Sequence, residues 1–248
     1  MSENKKNWKI SVITVCYNSK KTIEDTIKSI LNQTYANYEY IIIDGGSTDG
    51  TLELIKSYEP LFEGKLRYIS EPDKGIYNAM NKGIRMATGD LVCLLNSDDY
   101  YELNAFEIMN ANYNGEKYKV QYGIQRTITD EKEEMCIMKN HQFLNNAMIP
   151  HQTCFVTRKT YEDFGLFDES YKSGADYEFT VRISQHKEVC FQPIYEIIAC
   201  FRSGGMSESL VAALEEAKTK KKYGFISNKK YWMLIIKARL MHLLHKLV

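Results

Sequence analysis

Net charge is missing from this 248-residue sequence, in which Lys+Arg and Asp+Glu each number 32. Global charge therefore gives no sign of a nucleic-acid partner, and any electrostatic message must lie in local clusters. Cysteine pairing is missing too. Cys16, Cys93, Cys136, Cys154, Cys190 and Cys200 include no C-x-x-C spacing, so neither a zinc site nor a redox pair is indicated. Most sit in apolar, strand-like runs such as Leu91 to Leu95 and read as small buried hydrophobes, a use of thiols that fits a reducing cytosol. No stretch approaches the roughly 20 apolar residues of a membrane span. Met1 to Lys9 is polar and lacks the apolar core of a signal peptide, so the expected location is cytoplasmic. Internal repeats and low-complexity linkers are absent as well, which leaves one continuous domain to about residue 205.

What is present is alternation. Ile10 to Tyr17 is a β-rich apolar run, followed by Ile23, Ile27, Ile30 and Leu31 at helical spacing, with Asn18 or Ser19 as the cap. Tyr38 to Ile43 gives a second strand, Leu52 and Ile55 a second helix, and Leu66 to Ile69 a third strand. Ile76, Met80 and Ile84 mark a third helix, and Leu91 to Leu95 a fourth strand. Strands this apolar, alternating with helices, form a mostly parallel sheet flanked by helices, an α/β fold. Ligands of such sheets gather at the strands' carboxyl ends, and Asp44, Asp73, Asp98 and Asp99 all fall there. Beyond Asn104 the pattern is mixed. Short β-like runs occur at Val120 to Ile128, Met135 to Met138 and Thr153 to Val156, then a helix near Tyr177 to Ser184 and two β-like stretches around Phe191 and Ile198.

Four motifs carry chemistry, each with a structural alternative. Asp98 and Asp99 follow an apolar strand, where adjacent carboxylates are costly unless they face solvent or a cation; hard oxygen ligands favour Mg²⁺ or Mn²⁺. Their alternative is to cap a helix starting at Tyr101. Asp44 ends its strand before Gly45, Gly46 and Ser47, so it can accept hydrogen bonds from a nucleobase or ribose, or simply build a tight turn. Asp49 is read as a cap for the next helix. Lys74 can meet a diphosphate, and Asp73 either that group or a sugar hydroxyl, while Asn78 and Lys82 share one helix face or one solvated surface. Asp176, opening a helix, is either the general base for an attacking hydroxyl or an N-cap. His151 can touch diphosphate, metal or acceptor, or be structural, and Arg158 is a further phosphate candidate.

Taken in order, Val15-Cys16-Tyr17-Asn18, Ile43 to Thr51, Ser70 to Tyr77 and Leu95-Asn96-Ser97-Asp98-Asp99 resemble the bacterial family 2 glycosyltransferases. Pro150-His151-Gln152, Gly165 to Asp168 and Ala175 to Glu178 are similar to the same family, so the likeness spans about residues 9 to 205. It implies a GT-A fold, inversion at the anomeric carbon, a nucleoside-diphosphate sugar (commonly a UDP-sugar) and Mn²⁺ or Mg²⁺. The family's D-x-D falls on Asn96-Ser97-Asp98, which assigns the metal to Asp98 with Asp99 assisting. Its nucleoside-binding strand end falls on Thr14, Val15, Tyr17 and Asn18, joined by Asp44, Gly46, Ser47 and Ser97. Its acidic base motif falls on Ala175-Asp176.

From Lys218 onward the sequence has nine Lys/Arg and no Asp/Glu, and Trp232, Ile236, Leu240, Leu243 and Leu247 fall on one helical face. Leu234, Ile235 and Met241 lie off that stripe. The expected organisation is a catalytic domain over residues 1–205 and a basic helical extension over 206–248. The extension suits either an anionic membrane surface or packing on its own domain or a partner. The resemblance further implies a glycan or lipid-linked acceptor of bacterial surface polysaccharide or glycolipid synthesis. Two rivals stand beside it. A non-catalytic nucleotide-sugar-binding component would lack turnover. A sugar-1-phosphate nucleotidyltransferase would want a glycine-rich basic loop where Tyr17 to Lys21 stands.

Overall fold

Seven consecutive buried residues, Ile10–Cys16, form the strand β1, from which the sheet is built outward. The computed structural model describes residues 7–129, 132–203 and 209–245. β2 (Tyr38–Asp44) pairs with β1 in parallel, β3 (Leu66–Ser70) with β2, and β4 (Leu91–Leu94) with the other side of β1. The side chains of β1 alternate between two layers, as the period of a strand demands. Ile13 and Val15 face α3 (Ile76–Met86), whereas Ile10, Val12 and Cys16 face α1 (Ile23–Leu31), α2 (Thr51–Tyr58) and α4 (Ala105–Asn112). Both faces of β1 are covered, which is why it reads as a mainly apolar run. Gly83 lets α3 lie close on β1: a Cβ there would stand 2.4 Å from Ile13 Cγ2.

The second half of the sheet is mixed. β8 (Cys154–Thr157) enters antiparallel to both β4 and β6 (Lys119–Thr129), and β9 (Cys190–Arg202) runs parallel to β6. β5 (Tyr100–Tyr101) closes one edge on β9, and β7 (Lys132–Ile137) pairs with β6. The order is β3-β2-β1-β4-β8-β6-β9-β5. α5 (Arg158–Phe164) and α6 (Ala175–Ser184) precede β9, while α7 (Leu210–Lys222) and α8 (Asn228–His245) follow it. Strand order turns back at β1 and β4, and the crevice between their carboxyl ends is the expected ligand position.

Several local expectations change. The β-like stretches around Phe191 and Ile198 are one strand, β9, kept continuous by register shifts against β6. No helix starts at Tyr101; β5 intervenes and α4 begins at Ala105, with Asn104 in the N-cap position but making no side-chain cap. α1 starts later than expected, with Thr22 at its N-cap. Asn18 instead takes a φ of 51° and its Oδ1 accepts the Thr48 N–H. Cys16, Cys93 and Cys200 are buried, but Cys136 and Cys190 are exposed. Among the described residues no helix is long and apolar enough to cross a membrane. The 205/206 division falls within residues 204–208, outside the described residues. α7 packs back on the first part of the chain, where Glu215 accepts the backbone N–H groups of Lys172, Ser173 and Gly174 at 2.8–3.1 Å.

Candidate active site

A cavity of about 970 Å³ opens at the strand ends flanking the crevice. Val15 and Cys16 end β1 there and Tyr17 to Ser19 follow it, Gly45 follows β2, Pro72 and Asp73 follow β3, and Asn96, Ser97 and Asp98 follow β4. A volume of that order suits a ligand larger than a single sugar. Of the residues singled out in the sequence, Val15, Tyr17, Asn18, Asp73, Ser97 and Asp98 line it directly.

Others act from behind the wall. Asp44 is fully buried and does not line the cavity. Its carboxylate accepts hydrogen bonds from Ser47 N and Oγ, Ser70 Oγ and Cys16 Sγ, so it shapes the turn through Gly45 and Gly46 rather than presenting a free acceptor. Gly46 has a φ of +80°, which a side chain rarely adopts. Ser47 Oγ also accepts the Asn18 N–H, tying the β1 and β2 loops together. Thr14 is buried in the sheet and accepts a hydrogen bond from Tyr40. Asp49 lines the cavity and accepts the first N–H of α2.

Four expected contacts, Lys74, Asn78, Lys82 and Arg158, are not brought to the cavity. Lys82 bridges Asp73 and Glu71 at 2.6 and 2.7 Å, so its charge is already neutralised beside Asp73. Asn78 donates to Glu169 and accepts from the backbone of Lys74, whose side chain is exposed outside the lining. Arg158 lies at the opposite end of the sheet, because β8 runs antiparallel to β4. Its backbone N–H meets the Asp90 carbonyl and its guanidinium meets Gly89 and Glu162.

The acidic centre has converged. Asp99 is fully buried; one oxygen accepts the Arg202 N–H at 3.1 Å and the other has no hydrogen-bond partner. Burial and the neighbouring Asp98 charge push its carboxyl up to about 8. His151, 52 residues further along the sequence, feels the charge of the same group. Its Nδ1 lies 3.3 Å from Asp176 Oδ2, and its Nε2 has no partner. Burial favours the neutral imidazole, but the hydrogen bond to Asp176 and the charges of Asp176, Asp99 and Asp98 outweigh it and raise the pKa. Asp176 itself is buried, which by itself would raise its pKa. The His151 hydrogen bond and charge, with the Tyr77 hydroxyl donating at 2.8 Å, hold it below the usual carboxylate range. The helix-cap alternatives fall away. α4 starts too far from Asp98 and Asp99, and the N-cap of α6 is Gly174, with no side-chain cap.

Among the described residues no group of three or more His, Cys, Asp and Glu side chains encloses a metal by itself. The donor set is instead an incomplete one: the Asp98 carboxylate at the cavity wall, with unpartnered Asp99 Oδ2, Asn96 Oδ1 and His151 Nε2 nearby in sequence or field. Few, oxygen-rich protein ligands fit a cation that shares its shell with phosphate oxygens and water.

Sequence comparison decides the family. The model of Glycosyl transferase family 2 matches residues 11–168. The chain is a family 2 glycosyltransferase. A "PGL/p-HBAD biosynthesis glycosyltransferase" of Mycobacterium tuberculosis is 28% identical over 206 residues, covering 81% of this chain and 80% of that protein. Among solved structures, Staphylococcus aureus TarS 1–349 in complex with UDP-GlcNAc superposes with a TM-score of 0.71 at 17% identity, covering 93% of this chain and 71% of that one. Against the longer TarS chain the share covered is 42%. The mannosyltransferase PcManGT from Pyrobaculum calidifontis, in complex with GDP-Man and Mn²⁺, gives 0.68 at 16% identity, covering 94% of this chain and 69% of that one. These likenesses show the α/β fold with a mostly parallel central sheet flanked by helices.

Sequence reasoning missed Tyr77 as a partner of Asp176, and Arg202, which reaches the Asp98 carbonyl and the Asp99 carboxylate through its side chain and backbone. Tyr77 stood inside a quoted motif, but only the packing of α3 against α6 gives it a role. Arg202 ends a strand of unremarkable sequence and left no signal.

Proposed function

We propose that this family 2 glycosyltransferase is inverting and metal-dependent, and moves a sugar from a nucleoside-diphosphate sugar, first of all a UDP-sugar, to an acceptor hydroxyl. The observation that carries this reading is the Asp176 carboxylate, buried and held ionised between Tyr77 and His151, whose imidazole also feels the charge of Asp98 in the cavity wall. Binding of UDP-GlcNAc by TarS and of GDP-Man with Mn²⁺ by PcManGT supports the donor class and the cation. Tyr17, exposed at the cavity mouth, offers a ring to the nucleobase, and the Val15 to Asn18 and Gly45 to Ser47 turns offer backbone groups to the nucleoside. Asp98, assisted by Asp99, would hold Mn²⁺ or Mg²⁺. Bound there, the cation would neutralise charge on the departing diphosphate.

The chain's own residues supply the rest. As the acceptor oxygen attacks the anomeric carbon, the bond to the diphosphate oxygen breaks and Asp176 takes the hydroxyl proton. Tyr77 and His151 keep that carboxylate oriented and ionised until the proton arrives. The acceptor is a glycan or lipid-linked sugar of surface polysaccharide or glycolipid synthesis, met on the cytoplasmic side of the membrane. Residues 1–205 form the catalytic domain and 206–248 the extension.

The test measures nucleotide release from a panel of UDP- and GDP-sugars with and without EDTA, for the parent and for Asp176→Asn. Release that EDTA suppresses is expected, and Asp176→Asn retains donor affinity but loses about 10²–10⁴ in turnover. Parental turnover in that variant removes Asp176 from the base role. Release indifferent to EDTA removes the metal, and no release with any donor removes the reaction.

A further inference from the structure

Helix α8 is apolar on two opposite sides. At 100° per residue, Tyr231, Leu234, Ile235 and Ala238 share an inward arc. Ile235 is buried, and Leu234 and Ala238 line a groove of about 400 Å³ against Leu210, Ala213 and Ala217 of α7. The outward arc holds Trp232, Met233, Ile236 and Leu240, each between 55% and 61% exposed. Arg239 borders this arc on one side, and Lys230 and Lys237 on the other, with Lys229 at its amino-terminal end. The sequence stripe of Trp232, Ile236 and Leu240 is thus the face turned to solvent. Leu243's side chain and Leu247 lie outside the described residues.

We propose that this outward face of α8 seats on the surface of an anionic lipid bilayer. Apolar side chains with a tryptophan among them, rimmed by cations, match the boundary between acyl chains and acidic headgroups. Charge complementarity favours this occupant: residues 218–248 contain nine Lys/Arg and no Asp/Glu in a chain of zero net charge. A second copy is disfavoured by the same charge, since a two-fold contact through this face sets identical lysines against each other. The chain's own domain is already served by the inward arc. Several lysines of α7 are engaged within the protein, Lys220 by Glu216 and Lys222 by Glu178. The cations of α8 have no such acidic neighbours on their own helix. Seating is peripheral, because no described helix can cross the bilayer.

The experiment mixes the full chain with vesicles of equal parts phosphatidylcholine and phosphatidylglycerol, or of phosphatidylcholine alone, and reads co-sedimentation and tryptophan emission. Only two tryptophans are present. Trp8 is packed on Tyr113, so a blue shift reports Trp232. Salt-sensitive binding to the anionic vesicles with a blue shift is expected, and little binding to phosphatidylcholine. Ile236→Ser with Leu240→Ser abolishes it while leaving the circular dichroism spectrum unchanged. Lys229→Gln, Lys230→Gln and Lys237→Gln together weaken it on the order of 100-fold. Failure to bind anionic vesicles, equal binding by the serine variant, or a solution dimer that the serine variant dissolves overturns the proposal. Nucleotide release measured on the same samples keeps this outcome separate from that of the sugar-transfer reading.

Discussion

Replacing Glu215 by alanine tests whether α7 belongs to the catalytic machinery. Its carboxylate receives three consecutive backbone N–H groups, from Lys172, Ser173 and Gly174, and Gly174 is the N-cap of the helix carrying Asp176. A hydrogen bond to a charged group contributes about 1.5–3 kcal/mol when shielded. Glu215 is half-buried and the freed N–H groups can turn to water, so the summed loss is nearer about 2 kcal/mol. In a chain of this size that lowers Tm by roughly 4–8 °C. The kinetic effect should be larger and selective. Asp176 lies two residues beyond Gly174, and misplacement of a catalytic group by an ångström costs about 10²-fold. The donor cavity is built on the ends of β1, β2, β3 and β4 and the start of α3, whereas the hydrogen bonds of Glu215 go to residues 172–174. Glu215→Ala should therefore lower kcat by about 10- to 100-fold with donor KM unchanged, and Glu215→Gln, which keeps an acceptor oxygen, should recover part of the loss. Steady-state kinetics well below Tm, with a thermal melt of each variant, make the measurement. A lowered Tm with parental kcat would refute the positioning argument, as would a donor KM that rises in step with the fall in kcat.

Tyr77→Phe removes the hydroxyl that stabilises ionised Asp176. The Asp176 pKa, held low in the parent, then rises, so the acid limb of kcat moves to higher pH. An unshifted limb contradicts the pairing. The Asp99 carboxyl has its pKa raised by folding, so it binds its proton more tightly folded than unfolded, and its contribution to stability declines from about pH 4 to about pH 8. Asp99→Asn, melted in EDTA, should lose that part of the pH dependence and gain on the parent above pH 8; parallel curves would show that the group is not buried as a carboxylic acid. Gly83→Ala places a methyl against Ile13 inside the core. Overpacking of this kind costs about 1–3 kcal/mol, more than alanine's helix propensity returns, so Tm falls; a raised Tm would mean that α3 can lift off β1 freely.

The first half of the fold was legible because its central strands, β1, β2 and β4, are buried and mainly apolar. β2, β3 and β4 each end at or shortly before an aspartate, so Asp44, Asp73 and Asp98 could be placed at one end of the sheet from the sequence. What they do there was less legible. Asp44 and Lys82 turn out to be occupied by neighbours whose hydrogen bonds depend on loop conformation. Arg158 was misplaced for a directional reason, since nothing in the short run Cys154–Thr157 says that it opposes β4 rather than following it. Glu215 looks like any exposed glutamate of a lysine-rich helix, and only the return of α7 onto residues 172–174 distinguishes it. Asp176 lies beyond residues 11–168, so the family match alone does not reach it.

The insertion of β8 between β4 and β6 has a consequence for how such an enzyme can diversify. Because β8 is hydrogen-bonded directly to β4, His151, just upstream of β8, is anchored to the strand whose end carries Asp98, whatever lies between them in the chain. The connections before β6 and between β7 and β8 can lengthen, shorten or change composition without loosening that anchor, so long as β6 keeps its pairing with β8. A lineage could thus remodel the segment that meets new acceptors and still inherit the same chemical core.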